Sequence, residues 1–211
     1  MVIIDSKCRI CRREGIRLFL KGERCYTAKC PLLKRKYPPG VHGPKGYPKL
    51  SEYGLQLREK QKLKRIYGIS ERQLKNYYEK AMKLSGNPEE NLLRLLEQRL
   101  DNVIYKAGFT SSKSGARQLV SHGHLRVNGR RVDIPSYLLK PGDEITLKPT
   151  SKMINKIKDE IVVAKGKERI KLPTWLKFNE EKMLIKVLRK PEIDDLPKDL
   201  EIKKIIEFYS R

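Results

Sequence analysis

Four cysteines fall within the first 30 residues, and no other cysteine occurs in the chain. They are Cys8, Cys11, Cys25 and Cys30: a C-x2-C pair, thirteen residues, then a C-x4-C pair. Two closely spaced pairs let both sulfurs of each pair reach one ion without backbone strain, which is the pattern of a tetrahedral metal site. Between the pairs only Ile16, Leu18, Phe19 and Leu20 offer a core. That is too little to fold alone, so a bound ion is expected to supply the missing folding energy. Zinc is the expected ion, because four-cysteine sites in small folds are mostly structural zinc. An iron–sulfur cluster on the same four sulfurs is the alternative. A redox role for Cys8 and Cys11 lacks the strand–helix setting that such motifs use.

The charge is the second constraint. The chain of 211 residues has 48 Lys+Arg against 25 Asp+Glu, a formal net charge of +23. A magnitude of about 2–8 keeps a small domain soluble, so the excess points to a polyanion, most often nucleic acid. The first 50 residues carry +10 of it, and the rest spreads over the whole chain, as expected of a protein embedded in its polyanion on several faces. No apolar run exceeds four residues, far from the ~20 of a membrane-spanning helix. Asp5, Lys7, Arg9, Arg12 and Arg13 break up the N-terminus, so no secretory leader is read there and a cytoplasmic location is expected. In that compartment the thiols stay reduced.

Arg9, Arg12, Arg13, Arg17, Arg24 and Lys29 surround the cysteines and can meet phosphates. The next stretch is dense in breakers, from Pro31 through Pro38, Pro39, Gly40, Gly43, Pro44 and Gly46 to Pro48. It interleaves Lys34, Arg35, Lys36, Lys45 and Lys49 with Tyr37 and Tyr47. That composition suits an extended arm that pairs with phosphates and stacks on bases. A plain linker is the bland alternative, and His42 is read there as solvated.

From Leu50 the pattern turns helical. Ser51 caps a helix that ends at Gly68, with Arg58 and Lys62 among its basic residues. Ser70 and Gln73 form a capping box, Ile69 and Leu74 a hydrophobic staple, for a helix to about Leu84. Asn87 and Pro88 start the next. Leu92, Leu93, Leu96, Leu100, Val103, Ile104 and Ala107 recur at helical spacing, so one helix is expected as far as Gly108.

Thr110, Ser111 and Ser112 offer N-caps for a helix to Ser121, with Gly123 beyond its end. Lys113 and Arg117 lie one turn apart beside that N-terminus, a ready phosphate site. On a solvated polar face, alanine at both is expected to weaken RNA binding with thermal stability nearly unchanged. His124 to Val127 alternates like a strand, Asn128-Gly129 is a strong hairpin signal, and Arg130, Arg131 and Val132 return. Pro141-Gly142-Asp143 turns into Glu144–Leu147. Ser112, Lys113, Arg117, His122, His124, Arg126, Arg130 and Arg131 are the RNA-contact candidates of this module. Arg9, Arg12, Arg13, Lys34, Arg35, Lys36, Lys45, Lys49, Arg58 and Lys62 are those of the front half.

The segments LEQRLDNVIYKAGF (Leu96–Phe109), ARQLVSHGHLRVNGRRVD (Ala116–Asp133) and KPGDEI (Lys140–Ile145) resemble the RNA-binding domain named after small-subunit ribosomal protein four. That domain also occurs in pseudouridine synthases, tyrosyl-tRNA synthetases and stress-related RNA binders. CRICRREGIRLFLKGERCYTAKC, YPPGVHGPKGYPKLSEYGLQLREKQKLKRIYGISERQ and the ending IIEFYSR extend the resemblance to the whole bacterial ribosomal family, in its cysteine-containing type. Residues 151–190 match least well.

The resemblance implies an α+β fold with a four-cysteine arm over residues 1–45 and a helical domain over 46–95 completed by 197–211. An RNA-binding domain over 96–196, with its core motif at 96–147, carries a helix pair on a small antiparallel sheet. It further implies a non-catalytic, ribosome-bound protein that binds small-subunit (16S) ribosomal RNA first and nucleates assembly of the subunit body. The implied neighbours are ribosomal protein five, at an interface linked to decoding accuracy, and messenger RNA where it enters its tunnel. No membrane and no small-molecule substrate is expected. An RNA-modifying enzyme or stress RNA binder using the same module is the competing class, but no nucleotide loop or nucleophile motif appears. A zinc-dependent DNA-binding regulator, with a helix in the major groove, is a third.

Overall fold

The computed structural model describes residues 6–151, 153–166, 172–197 and 200–211, so the apolar run Met1–Ile4 lies outside the described residues. The chain forms two compact units. One joins the residues up to Lys83 with the segment from Lys198 onward, and the other runs from Leu84 to Pro197.

In the first unit, α1 (Lys7–Glu14) ends on Gly15, whose φ of +72° is left-handed. A 3-10 turn (Gly22–Tyr26), the single-turn α2 (Pro31–Lys34) and a second 3-10 turn (Gly43–Lys45) carry the chain through the breakers. α3 (Glu52–Tyr67) starts where its cap predicts: Ser51 Oγ accepts from the Gly54 N–H at 3.2 Å. α4 (Glu71–Lys83) opens with the reciprocal box, Gln73 N–H to Ser70 Oγ at 3.2 Å and Ser70 N–H to Gln73 Oε1 at 3.0 Å. Ile69 and Leu74 are both fully buried, as a staple requires. The C-terminal helix (Ile202–Tyr209) packs on α3 and α4. It buries Ile202 and Ile205, accepts from Gln56 Nε2 through Glu207 at 3.1 Å, and donates from the Tyr209 hydroxyl to Glu71 at 2.7 Å.

In the second unit, α5 (Pro88–Glu97) begins with Asn87 Oδ1 accepting from the Glu89 N–H at 2.9 Å. The expected single helix to Gly108 is corrected here. Arg99 takes an extended backbone, ψ 136°, and α6 (Leu100–Lys106) starts afresh. A passing segment holds the break: Leu100 N–H donates to Tyr137 O, and Leu139 N–H to Gln98 O, each at 2.9 Å. The leucines on either side keep helical spacing, so periodicity alone bridges the gap.

α7 (Lys113–Ser121) is capped by Ser112, and Gly123 beyond it has φ +69°. β1 (Leu125–Val127) and β2 (Arg130–Arg131) are joined by Asn128 and Gly129, at φ +50° and +77°. Positive φ at both central residues is the type I′ hairpin that Asn-Gly favours. β3 (Glu144–Leu147) follows, then α8 (Ile154–Gly166), β4 (Leu176–Asn179) and β5 (Leu184–Val187). The antiparallel sheet has the order β2-β1-β3-β5-β4. Leu125, Val127, Ile145, Leu147, Ile185 and Val187 face inward and meet Leu100, Val103 and Ile104 of α6 and Ala116, Leu119 and Val120 of α7. The helix pair on a small antiparallel sheet is therefore present. It is enlarged by two strands from residues 151–190, where the family resemblance is weakest.

Candidate metal centre and nucleic-acid interface

α1 places Cys8 and Cys11 one turn apart, the first 3-10 turn carries Cys25, and Cys30 stands at the start of α2. All four are free thiols, and all four line one cavity of about 10 Å³. Burial pushes the Cys11 thiol above its ordinary pKa, against a backbone contact with Leu18, and the other three cysteines push it further. Burial likewise raises Cys25, opposed by the Lys21 N–H, which donates to its sulfur at 3.4 Å. A cation among the sulfurs removes that penalty, so the donor set fits one. The side chains are not drawn together around such an ion: no group of three or more His, Cys, Asp or Glu among the described residues stands in a metal-holding arrangement.

The module is tied to the arm and to α3 by some of the candidate cations. Arg12 donates from Nε to Tyr37 O and from Nη2 to Pro38 O, both at 3.0 Å, with its guanidinium 4.8 Å from the Tyr37 ring centre. The Tyr47 hydroxyl donates back to Arg12 O at 2.6 Å. Gly15 lets it approach, since a Cβ there would sit 3.3 Å from that hydroxyl. Glu14, its side chain 1% exposed, takes Arg58 at 3.2 Å and also Arg65. Burial raises the Glu14 carboxyl, and the two guanidiniums work against it. Lys62 pairs with Glu59. So Arg12, Arg58 and Lys62 have structural partners, whereas Arg9, Arg13, Lys34, Arg35, Lys36, Lys45 and Lys49 are exposed.

The central module holds a buried polar network that the sequence did not reveal. Asp101 accepts from Arg99 Nε at 3.0 Å and Nη2 at 2.8 Å. It also accepts from Arg117 Nε at 3.2 Å and Nη2 at 2.8 Å. Beside it the Glu97 carboxylate accepts from Asn102 Nδ2 at 2.8 Å and pairs with Lys106. Lys113 is half-buried, and its ammonium lies 5.7 Å from the centre of the Tyr105 ring beside this network. Burial pulls that ammonium down to about 8, against the pull of the Glu97 carboxylate. Lys113 and Arg117 are thus the outer edge of an internal network and not a freely solvated face. Ser112 Oγ spends itself on the Gly115 N–H at 3.2 Å. Only the charges Glu97, Arg99 and Asp101 inside an apolar stripe hinted at this in the sequence.

At the other end of α7, His122 is exposed while His124 Nδ1 lies 2.9 Å from Ser151 Oγ. Arg126 and Arg131 are cross-strand partners on the outward face of the sheet. The Arg131 guanidinium covers Gly123, where a Cβ would sit 2.5 Å from Nε. Arg130 is exposed at the hairpin tip. Arg126 and Arg131 therefore share the outward face, whereas Arg130, the cross-strand partner of the inward-facing Val127, lies on the opposite face at the hairpin tip.

Residues 3–97 match the family profile of the ribosomal protein S4/S9 N-terminal domain, and residues 98–145 that of the S4 domain. The small ribosomal subunit protein uS4 of Thermodesulfovibrio yellowstonii is 54% identical over 206 residues, covering 98% of this chain and 97% of that protein. That of Thermus thermophilus is 52% identical over 208 residues, 99% of this chain and 98% of that protein. The chain belongs to the uS4 family. The two matched domains meet between residues 97 and 98, where α5 gives way to the Arg99 break. Because a uS4 profile also covers the front half, that half is not the catalytic domain of an RNA-modifying enzyme, and the competing class falls.

Proposed function

We propose that the chain is a non-catalytic constituent of the small ribosomal subunit that binds the subunit's ribosomal RNA. One observation carries this reading: near-full-length identity of about half to proteins named as small ribosomal subunit proteins. The exposed cations of the arm and of the β1–β2 hairpin supply the phosphate contacts. On the family resemblance, the chain binds this RNA early and nucleates the subunit body. It also stands where messenger RNA enters its tunnel and meets ribosomal protein five.

Cys8, Cys11, Cys25 and Cys30 hold one zinc ion in this reading. Zinc is preferred to an iron–sulfur cluster on the chemistry of the donor set, because four-cysteine sites in small folds are mostly structural zinc. When bound, the ion cross-links loops that have almost no apolar core. The chain's own residues do the rest: Arg12 and Tyr47 fasten the arm to the module, and Glu14 fastens α1 to α3.

Competition decides the RNA reading. Labelled small-subunit ribosomal RNA, bound at physiological salt, should resist a large excess of duplex DNA. Displacement by duplex DNA at equal nucleotide concentration would instead support the DNA-binding regulator.

A further inference from the structure

Asn128 is the one asparagine of the chain that precedes a glycine. The other six precede tyrosine, proline, leucine, valine, lysine or glutamate. A glycine nitrogen has no side chain beside it, so it is the backbone nitrogen best able to attack a neighbouring carboxamide carbon. Asn128 and Gly129 are both exposed at the tip of the β1–β2 hairpin, and the space around Gly129 is open. Among the described residues no acceptor takes the Gly129 N–H. The attacking group is therefore free, but the group it would attack is not. Asn128 Oδ1 accepts from the Glu144 N–H at 2.9 Å, and Nδ2 donates to Asp143 Oδ1 at 2.8 Å. The Asn128 N–H also donates to Glu144 O at 2.8 Å. Asp143 is fixed in turn, since its Oδ2 accepts the Lys140 N–H at 2.7 Å. A carboxamide bonded at both polar atoms cannot rotate onto the Gly129 nitrogen until those bonds open.

We infer that Asn128 is a latent deamidation site, and that Asp143 and Glu144 form the latch that keeps it closed. When the latch opens, the Gly129 nitrogen bonds to the Asn128 side-chain carbonyl carbon. The proton of that N–H ends on the amide nitrogen Nδ2, which leaves as ammonia. Water then opens the five-membered imide at either carbonyl and gives aspartate or its β-linked isomer. Water is the only co-reactant. Either product puts a carboxylate where the Nδ2 donor faced Asp143. Two carboxylates at that separation repel, so the latch does not re-form. The β-linked isomer also adds a carbon to the backbone of a two-residue type I′ turn, which depends on its exact loop length. The reaction thus records an opened hairpin permanently, and the register that pairs Arg126 with Arg131 is lost.

The test follows conversion of the full chain in mildly alkaline buffer. Peptide mass spectrometry reads the site, and methyl transfer by a protein-isoaspartate methyltransferase is the probe for the β-linked product. In the guanidinium-unfolded chain Asn128 should convert well ahead of Asn76 and Asn179, and equal rates overturn the site. In the folded wild type it should convert at least about fivefold more slowly than in the unfolded chain, as two intact hydrogen bonds allow. Equal folded and unfolded rates overturn the latch. Folded Asp143→Ala should convert about 2–10-fold faster than the wild type, and an unchanged rate removes Asp143 from the latch. Should that variant disturb the turn at Lys140, the folded and unfolded wild type still decide. Asn128→Asp should lower the thermal midpoint. Adding Asp143→Asn swaps donor and acceptor and should recover most of the loss. No recovery overturns the repulsion that makes the step one-way.

Discussion

Arg117 donates both Nε and Nη2 to one oxygen of Asp101, which at the same time holds the buried Arg99 through both of its oxygens. A residue expected to be an RNA contact on a solvated face therefore also supports a carboxylate that is only 5% exposed. Removing Asp101 takes away the carboxylate that pairs with the Arg99 guanidinium, 1% exposed. Breaking a buried pair on one side costs about 3–5 kcal/mol. Asp101→Ala should lower the thermal midpoint of the second unit sharply, and a shift of only a degree or two contradicts the network.

The Lys113→Ala, Arg117→Ala double variant should weaken RNA binding, and Arg117→Ala alone should also destabilise the fold. Asp101 retains Arg99, so the loss should be smaller than for Asp101→Ala, about 1–2 kcal/mol for a charge-assisted bond to a half-exposed partner. Unchanged stability of Arg117→Ala, measured by denaturant unfolding, would return Arg117 to the solvated-face reading.

Lys113 predicts a pH dependence of definite sign. Its folded pKa is about 8, below the ordinary lysine value. The unfolded chain therefore binds more protons than the folded one above pH 8, up to about 10.4, and this residue's contribution makes stability rise across that window. Below pH 8 the cost of holding the charged form is constant. Lys113→Met should be the more stable protein at pH 7, and its advantage should shrink as pH rises through the window. An advantage that grows with pH contradicts the assignment.

Gly123→Ala tests the seat of Arg131. Its left-handed backbone costs a non-glycine residue about 1 kcal/mol, and the new methyl meets the Arg131 guanidinium, which must swing away. RNA affinity should fall about as far as in Arg131→Ala, and the two changes should not add. Additive effects in the double variant would show that the contact has no bearing on binding.

The local features were legible before the structure. Ser51, Ser70 with Gln73, Asn87 and Asn128-Gly129 act through neighbours two to four residues away, so their spacing is enough. The Arg99 break was not, because it depends on Leu139 N–H reaching Gln98 O from a distant segment. Nor were the partners of Arg12 and Glu14, which lie 25 or more residues away. β4 and β5 are four-residue strands whose pairing follows only from the open edge of β3. The cysteine spacing named the four thiols that line one small cavity, but not the basic cavity that shares Cys8 with it.

Metal analysis of protein purified without chelator should find one zinc per chain. Cys25→Ser should unfold the first 30 or so residues and leave α3, α4 and the C-terminal helix folded, since the C-terminal helix packs on both and Leu63, Leu74 and Ile205 are fully buried there. A variant with all four cysteines changed to serine that retains the wild-type metal content contradicts the site. A brown protein with visible absorbance would assign an iron–sulfur cluster.

As a built-in part of the small subunit, this uS4-family chain should stay with it under harsh conditions. Ribosomes washed in high salt and separated into subunits show directly whether it does. One copy per small subunit and none on the large one is expected, because contacts on several faces of a folded RNA survive a wash that strips simple charge attraction. Release of the chain into the wash, or equal distribution between the two subunits, would contradict it.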